Sequence, residues 1–427
     1  MRFVATLLAG ILCGCWPDSS GIDPPADSFF FPTGLTLARD GSRLLVANSN
    51  FNLRYNGGTV VAVRIRDGGT DGACCAGQAC AVRCVDAEIE GCGGACADPV
   101  DERAFVAAAE TVGIGSGATD AAMSPDGRRA YVTVRGDGSL TWIDVDPVAD
   151  RPGGLLSCNP DAGNRRCDGG HTVVRTGNRW VPAEPYSLIA DDSWVVVGHV
   201  TSGAVSLFRV AGGRPPTLER VVDDFPTGSN GIARHPTSGW FFMASRDSRL
   251  IYPFTISAGD WRPGEGPAVS VGRAIPVDAG SGGSDSRFIA FSPAGDRAWV
   301  TNRSPASLLV VDTSSGTGGR VVDTIELGAG PSKVAVLPLA EGGHLVLAVC
   351  FDAREMYVVD PSLRAVIDVT RTGAGPHAIV ADAASGRAYV ANFGESSVWV
   401  FDLRPDSPSF GVPVLKIGLP ERPSAHD

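Results

Sequence analysis

The chain repeats one pattern of apolar and polar positions along most of its length. Residues 288–312 read FIAFSPAGDRAWVTNRSPASLLVVD and residues 378–402 read AIVADAASGRAYVANFGESSVWVFD. Each stretch opens on an apolar strand and then reverses over a short turn such as Ser124-Pro125-Asp126-Gly127 or Phe291-Ser292-Pro293-Ala294-Gly295. Pro presets φ for such a turn and Gly accepts the positive φ that the hairpin demands. A second apolar strand, a polar loop, a third strand and a fourth ending in a Gly-rich corner complete the unit, as at residues 320–328 (RVVDTIELG). Seven units are counted, with first strands beginning near Thr33, Thr119, Tyr186, Asn230, Arg287, Ser332 and His377. The third unit carries Asp191-Asp192-Ser193 in place of the Pro-Asp-Gly turn, and the sixth carries residues 338–343 there. Third strands such as 308–311 and 398–401 are apolar at successive positions, which predicts sheets covered on both faces. Repetition at this period marks a solenoid, a propeller or an array.

Residues 124–127 (SPDG), 131–133 (YVT), 299–302 (WVTN) and 389–392 (YVAN) carry a further signal. They resemble the YVTN-type repeat, with its Ser-Pro-Asp-Gly turn, Tyr-Val-Thr-Asn strand and Val-x-Val-Asp strand, over roughly residues 31–417. The resemblance implies an all-β fold, a seven-bladed β-propeller of four-stranded antiparallel blades spanning residues 29–418, with each first strand innermost. Two insertions interrupt the period. Residues 67–102 fall between the third and fourth strands of the first unit, and residues 147–170 take the equivalent place in the second. Ring closure has two solutions. Residues 412–417 supply a fourth strand for the last blade, and Phe29-Phe30-Phe31 would pair at that blade's outer edge and cover it.

Composition agrees with a β fold: 54 Gly and 30 Pro accompany only 19% charged residues. The net charge of −11 argues against nucleic acid, which needs clustered cations. At the N-terminus, Arg2 precedes an apolar run from residue 3 to residue 12 that is too short to span a bilayer and reads as an export signal. Leu12-Cys13-Gly14-Cys15 resembles the lipobox of bacterial lipoproteins. That resemblance implies removal of residues 1–14, lipidation of Cys15, and residues 15–28 as a polar tether; an ordinary signal peptide cut nearby is the alternative. Trp16 stands where inner-membrane retention would place Asp, which points to a cell-envelope lipoprotein of the outer membrane, on its periplasmic or its surface face. Residues 419–427 form a C-terminal tail. The expected attachment to a membrane is through the lipid alone, and the expected state is a monomer.

Cysteine usage also suits export. Cys74, Cys75, Cys80, Cys84, Cys92 and Cys96 crowd the first insertion, Cys158 and Cys167 bracket a polar loop in the second, and Cys350 stands alone. Clustered, even-numbered cysteines in an exported chain read as disulfides. The Cys80-x3-Cys84 and Cys92-x3-Cys96 spacings keep zinc ligation open as the alternative, although no His lies in that segment.

Candidate chemistry is sparse. The six His show no helical metal-pair spacing, and there is no Gly-x-Ser-x-Gly elbow or phosphate loop. Asp144, Asp312, Asp360 and Asp402 recur at third-strand ends, where turn hydrogen bonding explains them. Thr33, Thr119, Tyr186, Asn230, Arg287, Ser332 and His377 should converge on one mouth of the central channel, with His199, Arg246, Arg303 and Asp352 bordering the same end. No cofactor is expected. The leading reading is a binding or scaffold module for an envelope protein, a glycan or a small ligand. The alternative is a propeller enzyme of lactonase-like or quinoprotein-dehydrogenase-like type, with Arg287 orienting an anionic substrate and His377 moving a proton.

Overall fold

The computed structural model describes residues 21–65, 98–146, 155–158, 165–210, 213–257, 259, 266–277 and 285–419. The export signal with Cys15, the six clustered cysteines and residues 420–427 lie outside the described residues. Strands are hydrogen-bonded antiparallel in seven large sheets that pair in chain order, and Arg175–Thr176 with Arg179–Trp180 forms a separate two-stranded ribbon. The first sheet runs Pro32–Leu37, Arg43–Asn48, Gly58–Arg64 and Val106–Ile114; the last runs Pro376–Asp382, Arg387–Asn392, Ser397–Asp402 and Pro413–Ile417. In the second and fourth sheets the outermost strand is split into two short pieces that pair with the same third strand.

The apolar runs are explained by what lies on either side of each sheet. Leu44 and Val46 of the first sheet pack against Tyr389, Val398 and Leu415 of the seventh. Their neighbours Leu45 and Ala47 pack against Val132 and Ile143 of the second. One such apolar layer separates every neighbouring pair of sheets around the circle. The molecule is a seven-bladed β-propeller. Inner strands therefore lack a wet face, whereas the outermost strand Arg320–Glu326 alternates between half-buried and exposed positions.

The turns form as their residues require. Gly127 (φ 73°) and Gly295 (φ 79°) each donate to the Ser carbonyl that opens the turn. Asp312 and Asp360 accept the backbone N–H of Ser314 and Ser362, and Asp402 accepts that of Arg404. Asp144 pairs with Arg129 at 3.2 Å, as Asp312 does with Arg297 at 3.3 Å and Asp402 with Arg404 at 2.8 Å.

Closure of the ring uses neither proposed device alone. Pro413–Ile417 does supply the seventh blade's fourth strand. Phe29, however, is buried in the layer between blades seven and one, not at an outer edge. The edge of blade seven is instead met by Val100, from the end of the first insertion. Val100 donates to the Lys416 carbonyl and accepts from the Gly418 amide, both at 2.9 Å. The second insertion repeats this backward reach. Gly113, in the outer strand of blade one, donates to Arg165 and accepts from Cys167, both at 2.7 Å. Cys158 and Cys167 are joined in a disulfide that staples this insertion. Residues 21–26 lie along blade one, where Ile22 accepts from the Asn56 amide and Ala26 accepts from the Thr111 hydroxyl.

Candidate functional site

The start of every innermost strand carries the same irregularity. In blade one Pro32 faces Asn48 and Gly34 faces Ala47, so Thr33 is an extra residue with no partner of its own. Equivalent shifts bracket Thr119, Tyr186, Asn230, Arg287, Ser332 and His377. A bulge re-aims a side chain out of the ladder. Seven bulges at one level make a ring around the hub, on the face where second strands end.

Four of these residues spend their polar atoms on the next blade. Thr33 donates to the Ala118 carbonyl at 2.8 Å, Thr119 to Pro185 at 3.1 Å, and Ser332 to Pro376 at 2.8 Å. His377 contacts the Thr33 carbonyl through Nδ1 at 3.0 Å. A carbonyl oxygen only accepts, so Nδ1 carries the proton and Nε2 keeps its lone pair. Burial, with the Lys333 ammonium nearby, pushes the imidazole down to about 4, so it is neutral at neutral pH. These bonds form a girdle running from blade six through seven, one and two to blade three.

The other three bulge residues are used differently. Arg287 forms an ion pair with Asp285 at 2.6 Å. Tyr186 lies 6.4 Å from Phe288, ring to ring, and burial pushes its hydroxyl up. Asn230 is fully buried, and neither its amide nitrogen nor its oxygen has a hydrogen-bond partner among the described residues. A buried amide with four unmet bonding positions costs stability unless something polar reaches it.

The feature that the repeat alignment misses sits one residue further along. Lys333 Nζ lies 2.5 Å from Asp120 Oδ1, with both side chains largely buried. Lys333 belongs to blade six and Asp120 to blade two, which are not neighbours, so the pair crosses the hub. The same ammonium sits 4.7 Å from the Phe288 ring centroid. Lys333 is one of two lysines in the chain, and that scarcity was the available signal.

Around the mouth, further charges are paired. Arg135 meets Glu184 at 2.5 Å, Arg246 meets Asp247 at 3.5 Å, and Arg303 meets Asp352 at 3.7 Å. Hydrogen bonds from Thr201 and Arg135 hold the Glu184 carboxyl below the usual range. His199 is fully buried between the Ala183 carbonyl and the Ser206 hydroxyl, and burial pushes it down to about 4. Beside this mouth, Phe51, Phe31 and Phe393 form an aromatic cluster with centroids 5.2 to 6.2 Å apart. Phe393 lies 6.1 Å from the His377 ring. Among the described residues no group of three or more His, Cys, Asp or Glu is arranged to hold a metal ion.

No protein-family model matches the chain, and no curated protein matches it. Solved structures do resemble it. A putative 6-phosphogluconolactonase from Bacteroides fragilis is 13% identical with TM-score 0.56, covering 92% of this chain and 99% of that one. A periplasmic gluconolactonase from Pseudomonas aeruginosa is 17% identical with TM-score 0.51, covering 70% and 85%. Hydrazine synthase from Kuenenia stuttgartiensis is 13% identical with TM-score 0.54, covering 91% and 99%. Names so different at such low identity establish the shared propeller and leave the activity to the site itself.

Proposed function

We propose that the chain is a binding propeller of the cell envelope, held at a membrane by an acylated Cys15, whose bulge-end mouth receives a small polar ligand. The observation that carries this reading is the buried amide of Asn230 in the bulge ring, which has no hydrogen-bond partner among the described residues. A pocket with few convergent polar groups is suited to orienting a ligand. Turnover is less well supported, because the titratable groups at the mouth are already committed. Lys333, Arg287, Arg303 and Arg135 each hold a carboxylate, and His377 holds the neighbouring backbone.

The test is a thermal-shift screen of the purified mature chain against soluble glycans, peptidoglycan fragments and sugar acids. A compound that raises Tm for the wild type but not for Asn230→Ala or Lys333→Met supports the reading. A screen with no stabilising compound overturns it.

A lactonase-like reading is kept as second because His377 keeps an unprotonated Nε2 and Arg287 stands in the same bulge ring. Hydrolysis of a gluconolactone panel, followed by acid release, tests it. Turnover lost in His377→Gln and in Arg287→Ala would favour catalysis over binding alone.

A further inference from the structure

Three of the four most exposed large apolar side chains in the described residues gather at one corner of the bulge-end face. Leu53 is 71% exposed, Ile22 67% and Phe51 65%, whereas the fourth, Leu363 at 66%, lies in a turn on the opposite face. Phe51 and Leu53 belong to one loop, residues 49–57, and Ile22 is hydrogen-bonded to that loop through Asn56. The loop is a stiff platform. Asn50 bonds the Tyr55 backbone from both ends of its amide, Tyr55 packs edge-on against Phe30 at 5.1 Å, and Phe51 rests on Phe393. Leu53 adopts φ 55°, a left-handed conformation that L side chains other than Asn and Asp seldom take. Exposed Arg54, over the Tyr55 ring at 5.5 Å, adds a cation at the same edge.

We infer that this corner docks on a lipid bilayer, with Ile22, Phe51 and Leu53 entering the headgroup–acyl boundary and Arg54 meeting lipid phosphate. The occupant follows from where the chain leads. Gly21 lies against Asn56 of the same loop, and Cys15 is six residues upstream. Six residues reach about 20 Å at full extension, so an acyl chain on Cys15 holds this corner within that distance of the membrane. A large apolar side chain at the interface, a snorkelling Arg and a neighbouring Tyr are the chemistry of interfacial contact. The net charge of −11 repels an anionic surface. Docking therefore depends on the tether's local concentration and on apolar insertion. The location of the bilayer rests on the acylated Cys15 reading, whereas the docking surface stands on described residues. The consequence is an orientation: the bulge-end mouth turns toward the lipid and the Pro-Asp-Gly turns face away.

The test replaces the acyl chain with an N-terminal His tag on the mature chain carrying Cys15→Ser. The protein is bound to phosphatidylethanolamine–phosphatidylglycerol vesicles containing a nickel-chelating lipid. Amide exchange across residues 50–56 should slow several-fold on tethering, while residues 361–364 stay unchanged. Phe51→Ser with Leu53→Ser should abolish that protection without detaching the protein, and Leu363→Ser should not. Unchanged exchange at 50–56, or protection centred on the Leu363 turn, overturns the inference. Protection that appears at high protein concentration without vesicles assigns the corner to self-association and also overturns it. Mass spectrometry of the native mature protein tests Cys15 acylation separately, so the failure of one reading is distinguishable from failure of the other.

Discussion

Lys333 Nζ meets Asp120 Oδ1 at 2.5 Å across the axis of the ring, joining blade six to the non-adjacent blade two while the same ammonium faces the Phe288 ring of blade five. It ties two non-adjacent blades through the hub, whereas the girdle bonds tie each blade to the next. Removing one member leaves the other charge buried without a counter-ion, at a cost of about 3–5 kcal/mol. Lys333→Met should lower the stability by that order, and adding Asp120→Asn should recover most of it. Urea denaturation of the two single variants and the double variant measures the coupling. Additive losses would show that the two charges do not support each other.

Two buried imidazoles set a pH response. His199 and His377 are both pushed down to about 4 by burial, against about 6.5 for an ordinary histidine. Between those values the unfolded chain binds protons that the folded chain excludes. Stability is therefore full above about pH 6.5 and falls as pH drops toward 4, by up to about 1.4 kcal/mol per unit for each group. Denaturation midpoints measured from pH 7 to pH 4 should decline, and His199→Gln should flatten the decline. A midpoint independent of pH over that range would mean that the imidazoles protonate freely in the fold.

Asn230 gives opposite expectations for stability and binding. Replacing a buried amide that lacks partners by an apolar group of similar size is neutral or favourable. Asn230→Val should hold or raise stability by about 1 kcal/mol in denaturant titration, and should weaken any ligand that stabilises the wild type. A loss of several kcal/mol would show that the amide is satisfied.

The parts of this architecture that follow from turn chemistry were legible in the chain. Pro125, Gly127 and Gly295 announce hairpins because few other residues accept those backbone angles, and counting from the hairpins locates all seven bulge positions. The next position defeats the same alignment. It holds Gly34, Asp120, Ser187, Gly231, Phe288, Lys333 and Ala378, where only Gly recurs and neither charged residue does, so the hub pair leaves no periodic trace. Val100 was equally silent, since a single bridge between backbone atoms asks nothing of its side chain.

Gly231 shows what that varied position controls. A Cβ there would lie 2.3 Å from the Arg287 carbonyl oxygen and 2.6 Å from Phe288 Cα, closer than real contacts allow. Neighbouring inner strands of blades four and five thus touch backbone to backbone. Gly231→Ala should force them apart and cost about 1–3 kcal/mol. Thermal denaturation reads this directly, and an unchanged Tm would show that the strands shift without penalty.

The Val100–Ile417 bridge has a consequence for how the molecule is made. Its two partners, residues 100 and 417, are widely separated along the polypeptide, and contacts of such sequence separation are slow to form. The seam between the earliest and latest sectors stays open until synthesis has delivered the final strand. Until then Phe29 and its apolar neighbours are exposed, and a chaperone that shields this one edge would have its period of use before the last residues arrive.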